Sequence, residues 1–376
     1  MSLFAALHVP SLHIQLIEAS RPDLHGDAWV LGLPREGSRA KVLDVSEGAR
    51  SMGIETGMTL AEVRRAFPTV RILNPDPALV SRFRRVLSAL CDARCAAWDV
   101  HDDGDAILDL GAVRHLLGQD LSTWAAQFRT DLERSIGIRS SRILLATTRA
   151  GAETLVRIPD ASDFELVRDD SLEARLGEIP LDSIPWLARS TRDQLSRFQL
   201  RTLSDVRRIP HGFLCEHFGE IGERLSALAR GVDARSGGPI TPTLAEEHVF
   251  RGTDSDTAAA RERVHELADR LSFALRERQL SAREVRMRLS WDDGQELSSS
   301  VLAVPACASF LELRAVAWKL LAELAVRRQP LRSLRLSIPR TEASPVQEDL
   351  FSSAGTRSNS DSRRVRSQRE ARLVQA

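Results

Sequence analysis

The chain has 376 residues, with 52 Lys+Arg against 52 Asp+Glu and 43% hydrophobic residues. At about 100–200 residues per domain, that length leaves room for several modules with cores of their own. The charge balance excludes a globally basic nucleic-acid binder, so any basic patch must be local, and no apolar run approaches the ~20 residues of a membrane-spanning helix. Lys41 and Lys319 are the only lysines, so nearly every cation is arginine. The N-terminus lacks a basic start and an A-x-A cleavage site and reads as a buried first strand, not a signal peptide. Cys91, Cys95, Cys215 and Cys307 make no disulfide framework, which suits a reducing cytoplasm. Cys91 and Cys95 read as buried core thiols.

Residues 3–17 are apolar and strand-like. Residues 28–33 and 41–45 predict two short strands joined by a loop. Helical spacing follows over 47–52 and 59–67, broken by Gly53 and Gly57, and 68–72 is extended. Residues 78–96 predict an amphipathic helix with Val80, Phe83, Val86, Leu87, Leu90 and Cys91 on one side. Asp103-Gly104 is a hairpin-turn dipeptide between two strand-like runs. A helix over 120–136 and a strand over 143–146 complete an α+β sheet with its helices expected on one face.

From 172 to 233 the chain reads as short helices split by Pro and Gly. Two short helices whose turn offers N–H groups to a phosphate can grip DNA without reading its sequence; a plain helical bundle has the same composition. His211, Cys215 and His217 lie in a segment that reads as a turn and amphipathic helix, with a metal set as the alternative. Residues 234–244 have linker composition. Then a βαββαβ pattern spans 246–338. Val285, Met287, Leu289 and Trp291 share one face of its strands, while Arg286, Arg288 and Ser290 share the other. In the last strand Ser333, Arg335 and Ser337 oppose Leu334, Leu336 and Ile338. The Arg/Ser face is expected to reach solvent, where it would fit a phosphate backbone. Residues 340–376 are polar and expected to be disordered. They hold one apolar island, Gln347-Glu348-Asp349-Leu350-Phe351, and six arginines over 352–376 against Asp361 and Glu370.

Over roughly 1–340 this order of segments resembles the Y-family (translesion) DNA polymerases. The family's A-R-x-x-G-[VI] and following G-M-x-x-x-x-A-x-x-x-[CF]-P appear as Ala49-Arg50-Ser51-Met52-Gly53-Ile54 and as Gly57-Met58 through Phe67-Pro68. Its palm hairpin S-x-D-E-A-x-L-D-L appears as Asp102-Asp103-Gly104-Asp105-Ala106-Ile107-Leu108-Asp109-Leu110. Its thumb pattern appears as Leu214 to Phe218-Gly219 and as Ala229-Arg230-Gly231-Val232-Asp233. The resemblance implies an α+β Y-family polymerase architecture. Its palm would be 1–20 and 73–171, its fingers 21–72 and its helical thumb 172–233. A linker 234–244, a little finger 245–340 and a disordered tail 341–376 would follow.

The family holds two metal ions with three carboxylates, which let the attacking oxygen and the triphosphate share two cations. Pro10 stands where the first Asp belongs, Gly104 replaces the hairpin Asp, and Asp105 is the one carboxylate left. His13-Ile14 replaces the aromatic pair, Glu47 stands near the position of the Tyr, and Ala146-Thr147-Thr148-Arg149 lacks the Asn-Lys. Arg50 survives as a vestigial nucleotide contact. The acidic residues Asp99, Asp102, Asp103 and Asp105 do not match a calcium loop, since its twelfth position is Leu110.

Lost carboxylates in a kept architecture resemble the ImuB group, polymerase-like subunits of a bacterial mutagenesis cassette. That resemblance implies a non-catalytic adaptor in SOS-induced translesion synthesis, without metal or other cofactor. It would bind DNA, the sliding clamp, an ImuA-type RecA-like protein and the error-prone polymerase ImuC, in the cytoplasm at the nucleoid. Gln347, Leu350 and Phe351 match the group's clamp-binding peptide, and Arg286, Arg288 and Arg335 are the DNA-contact candidates. The Arg-rich end is either a partner site or a nonspecific DNA contact. Two other readings stay open. One is an active error-prone polymerase in which Asp105, with Asp102 or Asp109, gathers Mg²⁺. The other is a DNA-binding structural protein with no clamp or polymerase link.

Overall fold

The computed structural model describes residues 2–344, apart from 34–39, 102, 118–119, 159–161, 185, 235–239, 241–242, 251–256, 292–294 and 325–329. Strand β1 is Phe4–His8 and helix α1 is Leu12–Ser20. The single strand expected over 3–17 is therefore two elements. Pro10 and the left-handed Ser11 (φ 47°) turn the chain, and Leu12, Leu16, Ile14 and Ile17 are then buried on two sides of α1. That two-sided burial hides the helical period in the sequence.

β2 (Trp29–Gly32), β3 (Val42–Val45) and β4 (Arg71–Leu73) form a three-stranded sheet in the order β3-β2-β4. It carries α2 (Glu47–Ser51) and α3 (Leu60–Ala66). Ser46 caps α2, and a Thr59–Glu62 capping box starts α3 by satisfying orphan N–H groups reciprocally. α4 (Pro77–Asp92) stops four residues before the expected end, and buries Val80, Phe83, Leu87 and Cys91.

β5 (Trp98–Val100), β6 (Ala106–Asp109), α5 (Leu121–Ile136), β7 (Arg142–Ala146), α6 (Arg149–Leu155) and β8 (Phe164–Leu166) complete the central layer. Its five-stranded sheet has the order β5-β6-β1-β7-β8. β1 sits in the middle, antiparallel to both β6 and β7. Both faces of this sheet are covered, not one. Leu7, Ala106 and Leu108 pack with α1, α4 and α5. Ala6, Ile107 and Leu144 pack with α6 and with the helices that follow. Alternation along each strand feeds both cores. Cys91 and Cys95 are buried and free.

Helices α7 (Asp169–Gly177), α8 (Arg189–Arg197), α9 (Leu203–Arg207) and α10 (His211–Ala229) form the helical region, with Gly219 (φ 56°) breaking α10. The last module is β9 (Leu244–Val249), α11 (Thr257–Glu277), β10 (Leu280–Trp291), β11 (Glu296–Cys307), α12 (Phe310–Leu324) and β12 (Leu331–Ala343). Its sheet order is β11-β10-β12-β9. Val285, Met287, Leu289 and Trp291 pack on the two helices, as the alternation predicts. β12 runs to Ala343, so residues 340–343, expected to be disordered, are a strand. Among the described residues no helix is long and apolar enough to cross a membrane.

Candidate functional site

The β5–β6 turn closes through His101 N–H to Asp105 O at 2.8 Å and Gly104 N–H to His101 O at 3.1 Å. Gly104 takes the left-handed position of this turn, φ 90°, which glycine reaches without the steric penalty of a Cβ. It is also packed. A Cβ placed there would lie 2.5 Å from Leu12 Cδ2 and 3.0 Å from Phe83 Cε1. The next residue, Asp105, is 6% exposed. His8 Nδ1 at the end of β1 lies 2.7 Å from Asp105 Oδ1. Arg157, just beyond α6, brings Nη2 to 2.6 Å from Asp105 Oδ2. That second contact is an ion pair without hydrogen-bond alignment. The same Nη2 donates to Asp103 Oδ2. Burial works to raise the Asp103 carboxyl, but Arg157 and the Asp105 N–H outweigh it and hold it below the ordinary aspartate value. Asp99 is directed elsewhere, accepting from Thr243 N–H at 3.0 Å.

Arg50 is exposed on α2 and lines an open cleft of about 1350 Å³ with Pro10, Ser11 and Gln15. Gln15 wires this cleft together. Its amide donates to Pro10 O and Ser140 O, both at 2.8 Å, and its Oε1 accepts from Ser140 N–H at 2.9 Å. A lone glutamine in an apolar stretch gave no sequence signal for this role. Asp44 accepts from Ser11 Oγ at 3.2 Å and from Val45 N–H at 2.9 Å. Burial pushes its carboxyl up against those two bonds. His13 is exposed and Ile14 buried.

The Arg/Ser face of the last module is divided. On its β10–β11 half, Arg286 lies opposite Ser300 and Arg288 opposite Ser298, both arginines partly exposed. Glu284 lies 2.9 Å from Arg286 Nη2 and 3.4 Å from Arg340 Nε. The β12 half is sealed, which corrects the expectation of a solvent-facing Arg335. Arg335 is 7% exposed, and Ser333, Ser337 and Ser290 are buried beside it. It lines a cleft of about 390 Å³ with Arg84 and Glu247, which pair across it at 3.2 Å. Arg332, next on β12, donates to Pro75 O. The module thus turns half of that face against α4 and the segment before it.

Two models of the impB/mucB/samB family match the chain. The family model matches residues 8–150 and that of its C-terminal domain residues 242–350. Together they cover roughly two thirds of the sequence. The chain belongs to the impB/mucB/samB family. Similar curated proteins include DNA polymerase IV of Alkalilimnicola ehrlichii, 24% identical over 90% of this chain and 95% of that protein. DNA polymerase IV of Desulfatibacillum aliphaticivorans is 23% identical over 84% and 80%. The crystal structure of DinB from Sulfolobus solfataricus superposes with TM-score 0.61 at 15% identity, covering 91% of this chain and all of that one. A Dbh ternary complex gives 0.63, also at 15%, over 89% and 98%. The fold is that of the Y-family polymerases.

The divalent metals implied by this impB/mucB/samB fold do not fit the residues present. A side chain at position 104 would have to displace Leu12 on a left-handed backbone, position 10 is a proline, and Asp105 is already held by an arginine and a histidine. Among the described residues no group of three or more His, Cys, Asp or Glu side chains converges on one point. Asp102 lies outside the described residues. His211 and Cys215 come within 3.4 Å, but the His217 ring stacks on Phe213 with centroids 4.0 Å apart. The three form no common set. Gln347, Leu350 and Phe351 lie outside the described residues. Arg157 had no sequence signal, because it is 52 positions from Asp105 and only the fold joins them.

Proposed function

We propose that this family member is a non-catalytic, polymerase-like adaptor in damage-induced translesion synthesis. It would hold primer-template DNA and the sliding clamp and recruit an error-prone polymerase. One observation carries the reading. The hairpin position that the family fills with a metal-binding carboxylate is here a left-handed glycine closed off by Leu12 and Phe83. Nucleotidyl transfer needs two shared cations, and one carboxylate paired to Arg157 and His8 does not assemble them. DNA would be held through backbone contacts from Arg286 and Arg288, weakly and salt-dependently. Clamp binding is assigned to Gln347, Leu350 and Phe351. Joining two weak contacts raises the effective concentration of the assembly at a lesion. The domain limits inferred from the resemblance, an ImuA-type protein and ImuC as partners, and a cytoplasmic site at the nucleoid belong to the same proposal.

The test is single-nucleotide primer extension in Mg²⁺ and then Mn²⁺, with Asp105→Ala as control. No incorporation is expected. Incorporation that disappears in Asp105→Ala would establish the second reading, an active error-prone polymerase, which the names of the DNA polymerase IV relatives favour. For the clamp, Gln347→Ala with Leu350→Ala and Phe351→Ala is expected to abolish capture in a pull-down. Unchanged capture would remove that assignment.

A further inference from the structure

Asp105 is a carboxylate with almost no access to water. Such a group either loses its charge or is paired, because the protein interior cannot solvate it. Its two partners come from different elements. His8 is fixed by the β1–β7 pairing, in which it faces Arg142. Arg157 is fixed through α6 at both ends. Thr148 Oγ1 caps the helix, and the Asp233 carboxylate accepts from Arg149 N–H at 3.0 Å and Ala150 N–H at 2.8 Å. At the other end Leu155 and Val156 are buried in the core. Just past Arg157, Arg142 Nη1 donates to Ile158 O at 2.7 Å. The guanidinium is therefore delivered to the hairpin by a rigid support, and it serves Asp103 and Asp105 with one nitrogen.

We propose that Arg157 is the built-in counter-cation of this hairpin, balancing Asp103 and Asp105 while His8 stays in hydrogen-bond contact with Asp105, and so ordering the β5–β6 turn without a divalent metal. This deepens the non-catalytic reading and rests on it for the comparison with a metal-holding hairpin. The site has not merely lost ligands. Its remaining charge has been recruited to tie β1, the hairpin and the end of α6 together. A divalent ion can reach these carboxylates only when the guanidinium is gone.

The experiment is thermal unfolding of the full chain in EDTA and in millimolar Mn²⁺, together with a double-mutant cycle of Asp105→Asn and Arg157→Ala. The wild-type midpoint is expected to be the same in both buffers. Arg157→Ala is expected to unfold on the order of 5 °C lower, since it strands a buried charge. Mn²⁺ should restore part of that loss in Arg157→Ala and none in the double variant. The double variant should lose clearly less than the two single losses added. Additive losses would overturn the proposal, as would a Mn²⁺-induced rise in the wild-type midpoint. If Arg157→Ala does not fold, Arg157→Lys keeps the charge and is expected to retain more stability than Arg157→Gln; equal losses would count against the proposal. Primer extension by the wild type would defeat the non-catalytic reading without touching the cycle. Additivity in the cycle would defeat the counter-cation and leave the extension result standing.

Discussion

The β5–β6 hairpin and the Arg/Ser face of the C-terminal module carry the charges that sequence reasoning singled out, and they use them in opposite ways. At the hairpin, Asp103 and Asp105 are spent on Arg157 and His8 at contact distance. On the C-terminal sheet, Arg286 and Arg288 remain partly open to solvent over a row of serines, while Arg335 is closed off. A charged side chain is available to an outside partner only where it reaches solvent, even when it already has a neighbour, as Arg286 has in Glu284. Burial decides the cost as well. A buried pair resists opening because each partner left alone is expensive, whereas a half-exposed arginine exchanges water for phosphate at little cost.

The largest expected effect comes from forcing the hairpin to resemble a metal site. Gly104→Asp adds a side chain at φ 90° and against Leu12 and Phe83. Left-handed strain and overpacking together should cost about 3 kcal/mol, read as a lowered denaturation midpoint. Wild-type stability in Gly104→Asp would break the contrast between a closed hairpin and an open sheet. An intermediate effect is expected within the sheet itself. Arg335→Ala should lower stability by about 2 kcal/mol, through the packing and partners that a buried arginine loses, and should leave DNA affinity nearly unchanged at equal folded fraction. Arg286→Ala and Arg288→Ala are read for DNA binding at equal folded fraction. Each is expected to weaken DNA binding at all sequences and to reduce the salt slope by about 1, measured by fluorescence anisotropy across a salt series. Equal DNA losses from all three would show that Arg335 reaches DNA after the module moves.

The smallest effect is a pH dependence. The folded Asp103 carboxyl lies below its ordinary 3.8, so the folded state binds this proton less readily than the unfolded chain. Its stabilisation is present above 3.8 and is lost as pH falls through the lower folded value. The stability gap between wild type and Asp103→Asn should therefore be constant near neutrality and should shrink on acidification below that value. A gap that widens toward low pH would overturn Arg157 as the main group holding this carboxyl down against burial.

Much of the fold was legible in the residues. Asp103-Gly104 marked the turn, period-2 alternation in Val285, Met287, Leu289 and Trp291 gave the buried face, and helical spacing marked a helix within 59–67. Helix α1 was not legible, because Leu12, Ile14, Leu16 and Ile17 are buried on more than one side and leave no polar stripe to set the period. Nor was the second covered face of the central sheet, since short strands with small residues such as Ala6 look alike whether one face or two are packed. At the site, the proline at 10 and the glycine at 104 could be read directly. What packs around them could not.

By itself the sequence determined that positions 10 and 104 are a proline and a glycine, and folding cannot supply a carboxylate there. It also set the order of strands and helices, through local periodicity and capping that act over a few residues. Which charges are buried and which reach solvent was settled by the tertiary structure. Arg157 reaches Asp105 across a separation of 52 residues, and Arg335 shares a cleft with Arg84 of α4, more than 200 positions away. Burial and Coulomb pairing depend on distance in space, and local residue pattern carries no measure of it.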